Sequence, residues 1–332
     1  MKALTFDDII IPPQYSTVDS RRDVDLSSDL GGIGKLSIPI ISANMDTVTE
    51  IEMAIEISKL GGLGILHRFM SIDENIKQWR GVSEHCGVNK AVVSVGTKEE
   101  EVERFLALFE VGARSFCLDV AHGHHRRVKQ MIKYMKEKDD VCVIAGNIAT
   151  AAAAEDLSNW GADIIKVGIG PGLMCLTRRN AGVGVPQIYA VQQARKAVPD
   201  KPIISDGGIK NTGCINKAIA AGADAVMTGA LFAGCHESPG KIWADDDEDM
   251  INQRLYKIYR GSSSAEVKGK QEFVEGKANM ISYKGPLSMT MSKIDYGLRI
   301  ALGYVGAKDL TEYRSKSEFI ELTAGGRIES ES

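Results

Sequence analysis

No two cysteines in this sequence are spaced as a metal-binding or redox pair. The six cysteines are scattered from Cys86 to Cys235 without a CxxC motif, which argues against a zinc site or a disulfide framework and indicates a reducing compartment. No apolar run reaches the roughly 18–20 residues that span a bilayer, and the first residues lack the apolar core of a signal peptide. The sequence therefore predicts a soluble, cytoplasmic protein with no membrane partner.

An excess of positive charge is also missing. The chain has 40 Lys and Arg against 44 Asp and Glu, so its formal net charge of -4 provides no electrostatic footprint for nucleic acid. Hydrophobic residues make up 44% of the chain, which is enough for a large core. At 332 residues the chain is long for an ordinary domain but fits one large α/β barrel.

Eight short apolar segments alternate with helical patterns along most of the chain. The segments cover residues 38–44, 63–68, 91–95, 115–119, 141–147, 164–167, 203–206 and 225–228. Apolar segments without polar alternation are typical of strands buried on both faces of a parallel sheet. Eight of them predict a closed (β/α)8 TIM barrel as a single domain over residues 1–332. An open doubly wound sheet is the alternative, but it usually has fewer strands.

The alternation breaks after the eighth strand. Residues 240–287 contain an acidic run and then a polar, glycine-bearing stretch, so we expect a flap inserted there. Polar residues recur at the carboxyl ends of the predicted strands: Asn44, His67, Asp119, Asn147, Asp206 and Thr228. In a barrel these ends form one rim, where active sites lie. We therefore expect the functional site at this rim.

The stretch after the sixth strand combines a glycine-rich turn with a thiol. Gly168, Gly170 and Gly172 precede Cys175 and Thr177. Glycine lets a ligand approach the main chain closely, and exposed amides near a thiol suit covalent attack on an anionic substrate. The alternative for this motif alone is a glycine loop with a buried structural cysteine.

The loops after the last two strands are candidates for phosphate binding. Gly207, Gly208 and Gly229 lie where barrels often bind phosphate with backbone amides. Asp206 could accept two hydrogen bonds from a ribose diol. Ordinary turn glycines beside an exposed Asp are the alternative.

Asp119 begins a histidine-rich loop after the fourth strand. His122, His124 and His125 follow it, but their spacing lacks the i, i+4 pattern of HExxH, so a substrate- or cofactor-facing Asp119 is favoured over a metal site. Arg68 ends the second strand and could bind substrate or form a surface ion pair. An acid/base carboxylate could come from Glu275 in the flap, with a solvated Glu as the alternative.

The motifs at these positions resemble the IMP dehydrogenase/GMP reductase family along nearly the full length of the chain. They are LTFDD at 4–8, SANMD at 42–46, LDVAHG at 118–123, AGN at 145–147, KVGIGPGLMCLTR at 166–178, SDGGI at 205–209, ESPG at 237–240, YKG at 283–285 and YVGA at 304–307. The resemblance implies a phosphate-binding barrel that forms a homotetramer. It also implies a purine nucleotide as the small-molecule substrate, held covalently through Cys175 during the reaction.

Two enzymes of the family share this intermediate, and two features of the sequence resemble the reductase. The dehydrogenase usually carries paired regulatory (CBS) modules between strands two and three, whereas here only residues 70–90 separate Phe69 from Ala91. Its flap carries an Arg-Tyr pair that activates water, and no Arg or Tyr lies between Ser264 and Tyr283. The resemblance therefore implies GMP reductase, which converts GMP to IMP and ammonia with NADPH.

Two other functions stay open at this point. An IMP dehydrogenase without CBS modules would oxidise IMP to XMP with NAD. A nucleotide-binding regulatory barrel without turnover is the non-enzymatic alternative.

The resemblance also assigns roles to residues. Cys175 is the expected nucleophile, with Thr177 and Glu275 as the proton-transfer pair. The residues expected to bind the substrate are Arg68, Asp206, Gly207, Gly208, Gly229, Ala230, Ser262, Ser263 and Ser264. Those expected to bind the cofactor are Asp119, Ala121, Gly168 and Gly170. Backbone carbonyls of Gly170, Gly172 and Cys175 are expected to bind a monovalent cation, K+. Leu173 and Ala230 stand where relatives often have serine, so phosphate binding would depend more on backbone amides.

Overall fold

A computed structural model describes residues 2–245, 254–261 and 277–331, and eight of its strands close into a parallel barrel. The barrel strands are β1 (Ile40–Ser42), β2 (Leu63–Leu66), β3 (Val92–Val95), β4 (Ser115–Asp119), β5 (Cys142–Ile148), β6 (Ile164–Val167), β7 (Ile203–Asp206) and β8 (Ala225–Thr228). Strands that are consecutive in the chain are neighbours, and β8 pairs with β1 to close the barrel. The predicted eight-stranded barrel is therefore confirmed.

Helices follow the strands and cover the outside of the barrel. They are α1 (Ile51–Lys59), α2 (Ile72–Cys86), α3 (Glu99–Glu110), α4 (Arg126–Lys136), α5 (Ala151–Trp160), α6 (Thr177–Ala181), α7 (Gln187–Ala197), α8 (Thr212–Ala220), α9 (Leu287–Val305), α10 (Leu310–Lys316) and α11 (Ala324–Glu331). In α4, Val128, Met131, Ile132 and Met135 are buried, and this spacing of three and four places them on the face that covers the barrel. Within the described ranges, no helix is both long and apolar enough to cross a membrane.

The barrel strands are apolar because both of their faces are covered. Every residue of β2, β3, β6 and β8 is buried, between the barrel interior and the surrounding helices. Two short antiparallel ladders lie outside the barrel. One pairs Ser28–Asp29 with Lys35–Leu36, and the other pairs Ile9–Ile10 with Ile320–Glu321.

The segment after β8 contains a small sheet that the sequence patterns do not predict. β9 (Trp243–Ala244), β10 (Leu255–Arg260) and β11 (Ala278–Ser282) pair antiparallel. Arg260 at the end of β10 donates to Asp46 Oδ2 from Nε at 2.9 Å and from Nη2 at 2.5 Å. Its backbone N–H donates to Thr47 Oγ1 at 3.2 Å. Because Asp46 and Thr47 follow β1, these bonds fix the end of β10 to the carboxyl-end rim.

Candidate active site

Cys175 lies half-buried in the loop that joins β6 to α7. Its thiol donates to Thr177 Oγ1 at 3.2 Å, and its backbone N–H donates to the carbonyl of Gly172 at 3.0 Å. Other cysteines have surroundings that favour the neutral thiol: burial raises the pKa of Cys117 to about 12. Cys86 is also partly exposed, but it ends α2 on the outside of the barrel. Cys175 therefore combines access with a polar partner at the rim.

Three polar side chains from β5, β6 and β7 meet beside this loop. Lys166 donates to Asp206 Oδ2 at 2.9 Å and also to Asn147 Oδ1. Asn147 Nδ2 donates to the same Asp206 oxygen at 2.8 Å. Burial disfavours the charged form of Lys166, but the attraction of Asp206 outweighs it and the pKa of Lys166 is raised. Asp206 Oδ1 has no hydrogen bond from any described residue, so it remains available to a ligand.

The glycines at this end of the barrel allow two loops to touch. An added Cβ on Gly168 would overlap the carbonyl oxygen of Asp206, so the ends of β6 and β7 approach more closely than any other residue permits. Gly207 and Gly208 both have positive φ, of 94° and 78°. A Cβ on either would be 3.0–3.2 Å from Pro171. The structure thus brings the cysteine loop and the predicted phosphate-binding turn together.

Gln187 links the ends of β6 and β7, and the sequence patterns did not predict this role. Its side chain is fully buried at the start of α7. Nε2 donates to the carbonyl of Val167 at 2.8 Å and to Ser205 Oγ at 3.1 Å. A buried amide that bonds two adjacent strand ends fixes their spacing.

Tyr259 of β10 is a second residue that the sequence patterns missed. It is 4% exposed, and a Cβ on Gly229 would be 2.6 Å from its hydroxyl. Burial, with a further effect from the Asp206 charge, raises the pKa of Tyr259, which keeps its phenol protonated as a donor. The carbonyl of Ala230 accepts from Lys284 Nζ at 2.7 Å. The rim at Gly229 and Ala230 therefore has the buried Tyr259 hydroxyl beside its backbone.

Arg68 and Asp119 come together on another part of the rim, at the carboxyl ends of β2 and β4. Arg68 Nε lies 3.8 Å from Asp119 Oδ2, and Nη1 lies 3.6 Å from Glu101 Oε1. Glu101 is buried and accepts from the backbone of Gly96 at 2.6 Å. Ala121, two residues after Asp119, is exposed. One guanidinium between two carboxylates forms a polar patch next to the exposed backbone of this loop.

The histidines after β4 do not converge on one point. His124 Nε2 lies 2.7 Å from Asp156 Oδ2, and its ring stacks on Trp160 with centroids 5.8 Å apart. His125 instead caps α4 by accepting from the backbone of Arg127. Over the described residues, no group of three or more His, Cys, Asp or Glu side chains could hold a metal ion. The cation expected at backbone carbonyls of the cysteine loop stays a prediction, and the carbonyl of Gly172 already accepts a hydrogen bond from Cys175.

Four predicted site residues, Ser262, Ser263, Ser264 and Glu275, lie outside the described residues. The residues on either side of this stretch are fixed. Gly261 N–H donates to the carbonyl of Lys277 at 3.0 Å, and Lys277 N–H donates to the carbonyl of Met174 at 3.0 Å. Lys277 therefore lies between Gly261 and Met174, the residue that precedes Cys175.

Together the fold and site define a (β/α)8-barrel protein with a thiol and a cluster of buried Lys166 with half-buried Asp206 and Asn147 at one rim. The family model described as the IMP dehydrogenase / GMP reductase domain matches residues 3–332. The chain belongs to this family of oxidoreductases of purine metabolism, and the resemblance seen in its motifs is confirmed.

Proteins of both activities are similar to the chain. The inosine-5'-monophosphate dehydrogenase of Methanocaldococcus jannaschii is 35% identical over 476 aligned positions, which cover 99% of this chain and 94% of the relative. The dehydrogenase of Cryptosporidium parvum is 36% identical over 385 positions, with 99% and 94% covered. The GMP reductase of Acidovorax ebreus is 38% identical over 320 positions, which cover 95% of this chain and 94% of the relative.

Proposed function

We propose that this protein is a GMP reductase, which converts GMP, NADPH and protons to IMP, NADP+ and ammonium. The observation that carries the proposal is the half-buried Cys175 thiol, 3.2 Å from Thr177 and beside the Asp206 cluster at the barrel rim. The sulfur attacks C2 of the purine, and the 2-amino group then leaves as ammonia. Bound NADPH would supply a hydride to C2, and Cys175 would leave C2 as the thiol when IMP is released.

Thr177 is in a position to take part in the proton transfers. Its hydroxyl accepts a hydrogen bond from the thiol, so a proton leaving the sulfur has an oxygen within reach. Glu275 is proposed as the partner that delivers a proton to the leaving amino group. In the sequence it precedes by two residues Lys277, whose backbone N–H donates to the carbonyl of Met174 at 3.0 Å.

The nucleotide is proposed to bind across the barrel mouth through its ribose and phosphate. Asp206 Oδ1 would accept from the ribose hydroxyls, while Oδ2 is held by Lys166 and Asn147. Backbone amides at Gly207, Gly208, Gly229 and Ala230 would bind the phosphate. Because Leu173 and Ala230 have no hydroxyl, the buried phenol of Tyr259 beside Gly229 is a further donor for it. Ser262, Ser263 and Ser264 are proposed to contact the base.

NADPH is proposed to bind at the patch of Arg68, Asp119 and Ala121, with Gly168 and Gly170 on the side of the cysteine loop. This patch supplies a guanidinium and a carboxylate on the rim, which suit hydrogen bonds to the amide of a nicotinamide ring. The bound cofactor supplies the hydride. Arg68 and Asp119 would orient its ring towards C2 of the purine.

The lengths of the alignments favour the reductase. The alignments with the M. jannaschii and C. parvum dehydrogenases extend over 476 and 385 positions, although this chain has 332 residues, so these relatives carry segments without a counterpart here. The alignment with the A. ebreus reductase extends over 320 positions and needs no such segment. The alternative is an IMP dehydrogenase without CBS modules. It is supported by the dehydrogenase relatives, whose alignments cover 99% of this chain.

The deciding experiment mixes purified protein with GMP and NADPH and follows the absorbance of the reduced cofactor. We expect oxidation of NADPH with release of one ammonium per turnover, and none with the Cys175→Ala protein. Reduction of NAD in the presence of IMP would instead identify the dehydrogenase. Binding of GMP by calorimetry without turnover in either direction would identify a regulatory barrel.

The same preparation tests two further proposals, a homotetramer and K+ bound at the carbonyls of Gly170, Gly172 and Cys175. Light scattering during size-exclusion chromatography gives the mass of the assembly. Replacing K+ by Na+ in the assay should lower the rate if the cation organises the cysteine loop. Equal rates in both salts would argue against the cation site.

A further inference from the structure

A single arginine occupies the interior of the loop that carries Cys175. We define the nucleophile loop as residues 168–185, between β6 and α7. Arg178, on the short helix α6 of this loop, donates from Nη2 to the carbonyl of Ile169 at 3.4 Å and to the carbonyl of Val185. The backbone N–H of Val185 also donates to Ile169 at 3.4 Å. One guanidinium therefore holds together the two ends of the loop.

Two glycines of the loop make room for this side chain. A Cβ on Gly170 would be 2.5 Å from Arg178 Cγ, and a Cβ on Gly184 would be 2.6 Å from the same atom. Both distances are shorter than carbon atoms tolerate, so the alkyl part of Arg178 passes between two positions that only glycine can fill. Gly182, in the same loop, has nothing within 4 Å of its Cβ position. The close packing is thus specific to the path of Arg178.

The guanidinium has more hydrogen-bonding capacity than packing requires. Its Nε is buried and has no acceptor among the residues that the structure describes. A buried donor without a partner costs free energy, so this nitrogen does not itself stabilise the loop. Burial lowers the pKa of the Arg178 guanidinium, and a smaller electrostatic interaction with Cys175, three residues earlier in the chain, raises it.

We propose that Arg178 is the positioning residue of the nucleophile loop, which clasps the loop ends and sets a fixed positive charge beside Cys175. The clasp fixes the conformation of the loop that carries Cys175. The charge favours the approach of anionic reactants to the sulfur. The inference deepens the proposed function, because a nucleotide is an anion, but its test needs neither GMP nor NADPH.

The test compares alkylation of Cys175 by iodoacetate, which is anionic, and by iodoacetamide, which is neutral and of similar size. Peptide mass spectrometry separates Cys175 from the other partly exposed thiol, Cys86. In Arg178→Met and Arg178→Gln we expect the iodoacetate-to-iodoacetamide rate ratio to fall about threefold to tenfold, the effect of one unit charge a few ångströms away in a partly solvated site. In Arg178→Lys the charge remains, so the ratio should be retained.

Hydrogen exchange of the nucleophile loop tests the clasp separately. Arg178→Met has no donor for the carbonyls of Ile169 and Val185, so hydrogen exchange of the peptide that contains residues 169–185 should accelerate in this variant. Arg179→Met is the matched control, because Arg179 is exposed on the same helix. This control should leave loop exchange unchanged and the alkylation ratio within about 1.5-fold.

The outcomes separate the inference from the proposed function. An unchanged alkylation ratio in both neutral variants, or an equal fall in Arg179→Met, would overturn the proposed effect of the Arg178 charge on Cys175. Unchanged exchange in Arg178→Met would overturn the clasp. If the wild-type protein turned over no GMP while the ratio still fell in Arg178→Met, the positioning role would hold and the GMP reductase assignment would fail.

Discussion

Asp206→Asn tests the polar cluster that links β5, β6 and β7. The amide oxygen can still accept from Lys166 and Asn147, so the substitution removes the charge and little else. The Lys166 side chain is 2% exposed and that of Asp206 is 19% exposed, so the remaining ammonium cannot reach water. Leaving a buried charge without its partner costs about 3–5 kcal/mol. Because an acceptor stays in place, we expect the free energy of unfolding to fall by about 3 kcal/mol, near the lower end of this range.

Urea unfolding followed by circular dichroism measures this loss. Asp295→Asn is the matched control, since it removes the same charge from a partly exposed pair with Arg299 at 3.0 Å on α9. A pair of that kind contributes less than about 1 kcal/mol. If both variants lost the same small amount, the Lys166-Asp206 pair would be as well solvated as a surface pair, and the reasoning would be wrong.

The pH dependence of stability is a second test of the Lys166-Asp206 pair. The pKa of Lys166 in the folded protein is raised above its ordinary value of 10.5. The contribution of the pair is therefore fully present below pH 10.5 and is lost only as the pH rises through the raised value. In Asp206→Asn, burial acts without its main opposing attraction and should lower the pKa of Lys166. The variant should then become more stable as the pH rises towards 10, while the wild type stays flat; a flat variant curve would contradict this.

Three further substitutions and one control substitution test the site. Cys175→Ala should abolish turnover of GMP while its affinity, measured by calorimetry, changes less than about threefold; loss of folding would instead support a structural cysteine. Glu275→Gln should slow NADPH oxidation at least about 100-fold with binding retained, and an unchanged rate would exclude it as the acid/base group. Gly168→Ala should cost about 3 kcal/mol in urea unfolding because its Cβ overlaps the Asp206 carbonyl. Gly182→Ala, where the Cβ meets nothing, should cost only about 1 kcal/mol for its positive φ of 67°; equal costs would contradict the overlap.

The sequence by itself determined the barrel and the place of the site. Strands buried on both faces need unbroken apolar runs, and this local requirement made all eight strands visible. A barrel puts all carboxyl strand ends on one rim, so Cys175, Asp206 and Asp119 could be placed there before any contact was known. The family also followed from motifs that are contiguous in the chain, and the match over residues 3–332 confirmed it.

Only the tertiary structure decided which side chains act on one another. Asn147 and Asp206 are 59 residues apart and Tyr259 and Met45 are 214 apart, so their contacts exist only once the barrel has closed and β10 has docked on its rim. Lys166 looked like part of a strand motif, and its role as a buried ammonium depends on neighbours from two other strands. The sequence did not predict the role of Arg178 either, because the packing of its side chain between Gly170 and Gly184 depends on the geometry of the loop. The pattern of apolar residues in the sequence indicates which segments are buried. The pairing of polar groups depends on distances between side chains, and these distances are set only when the chain folds.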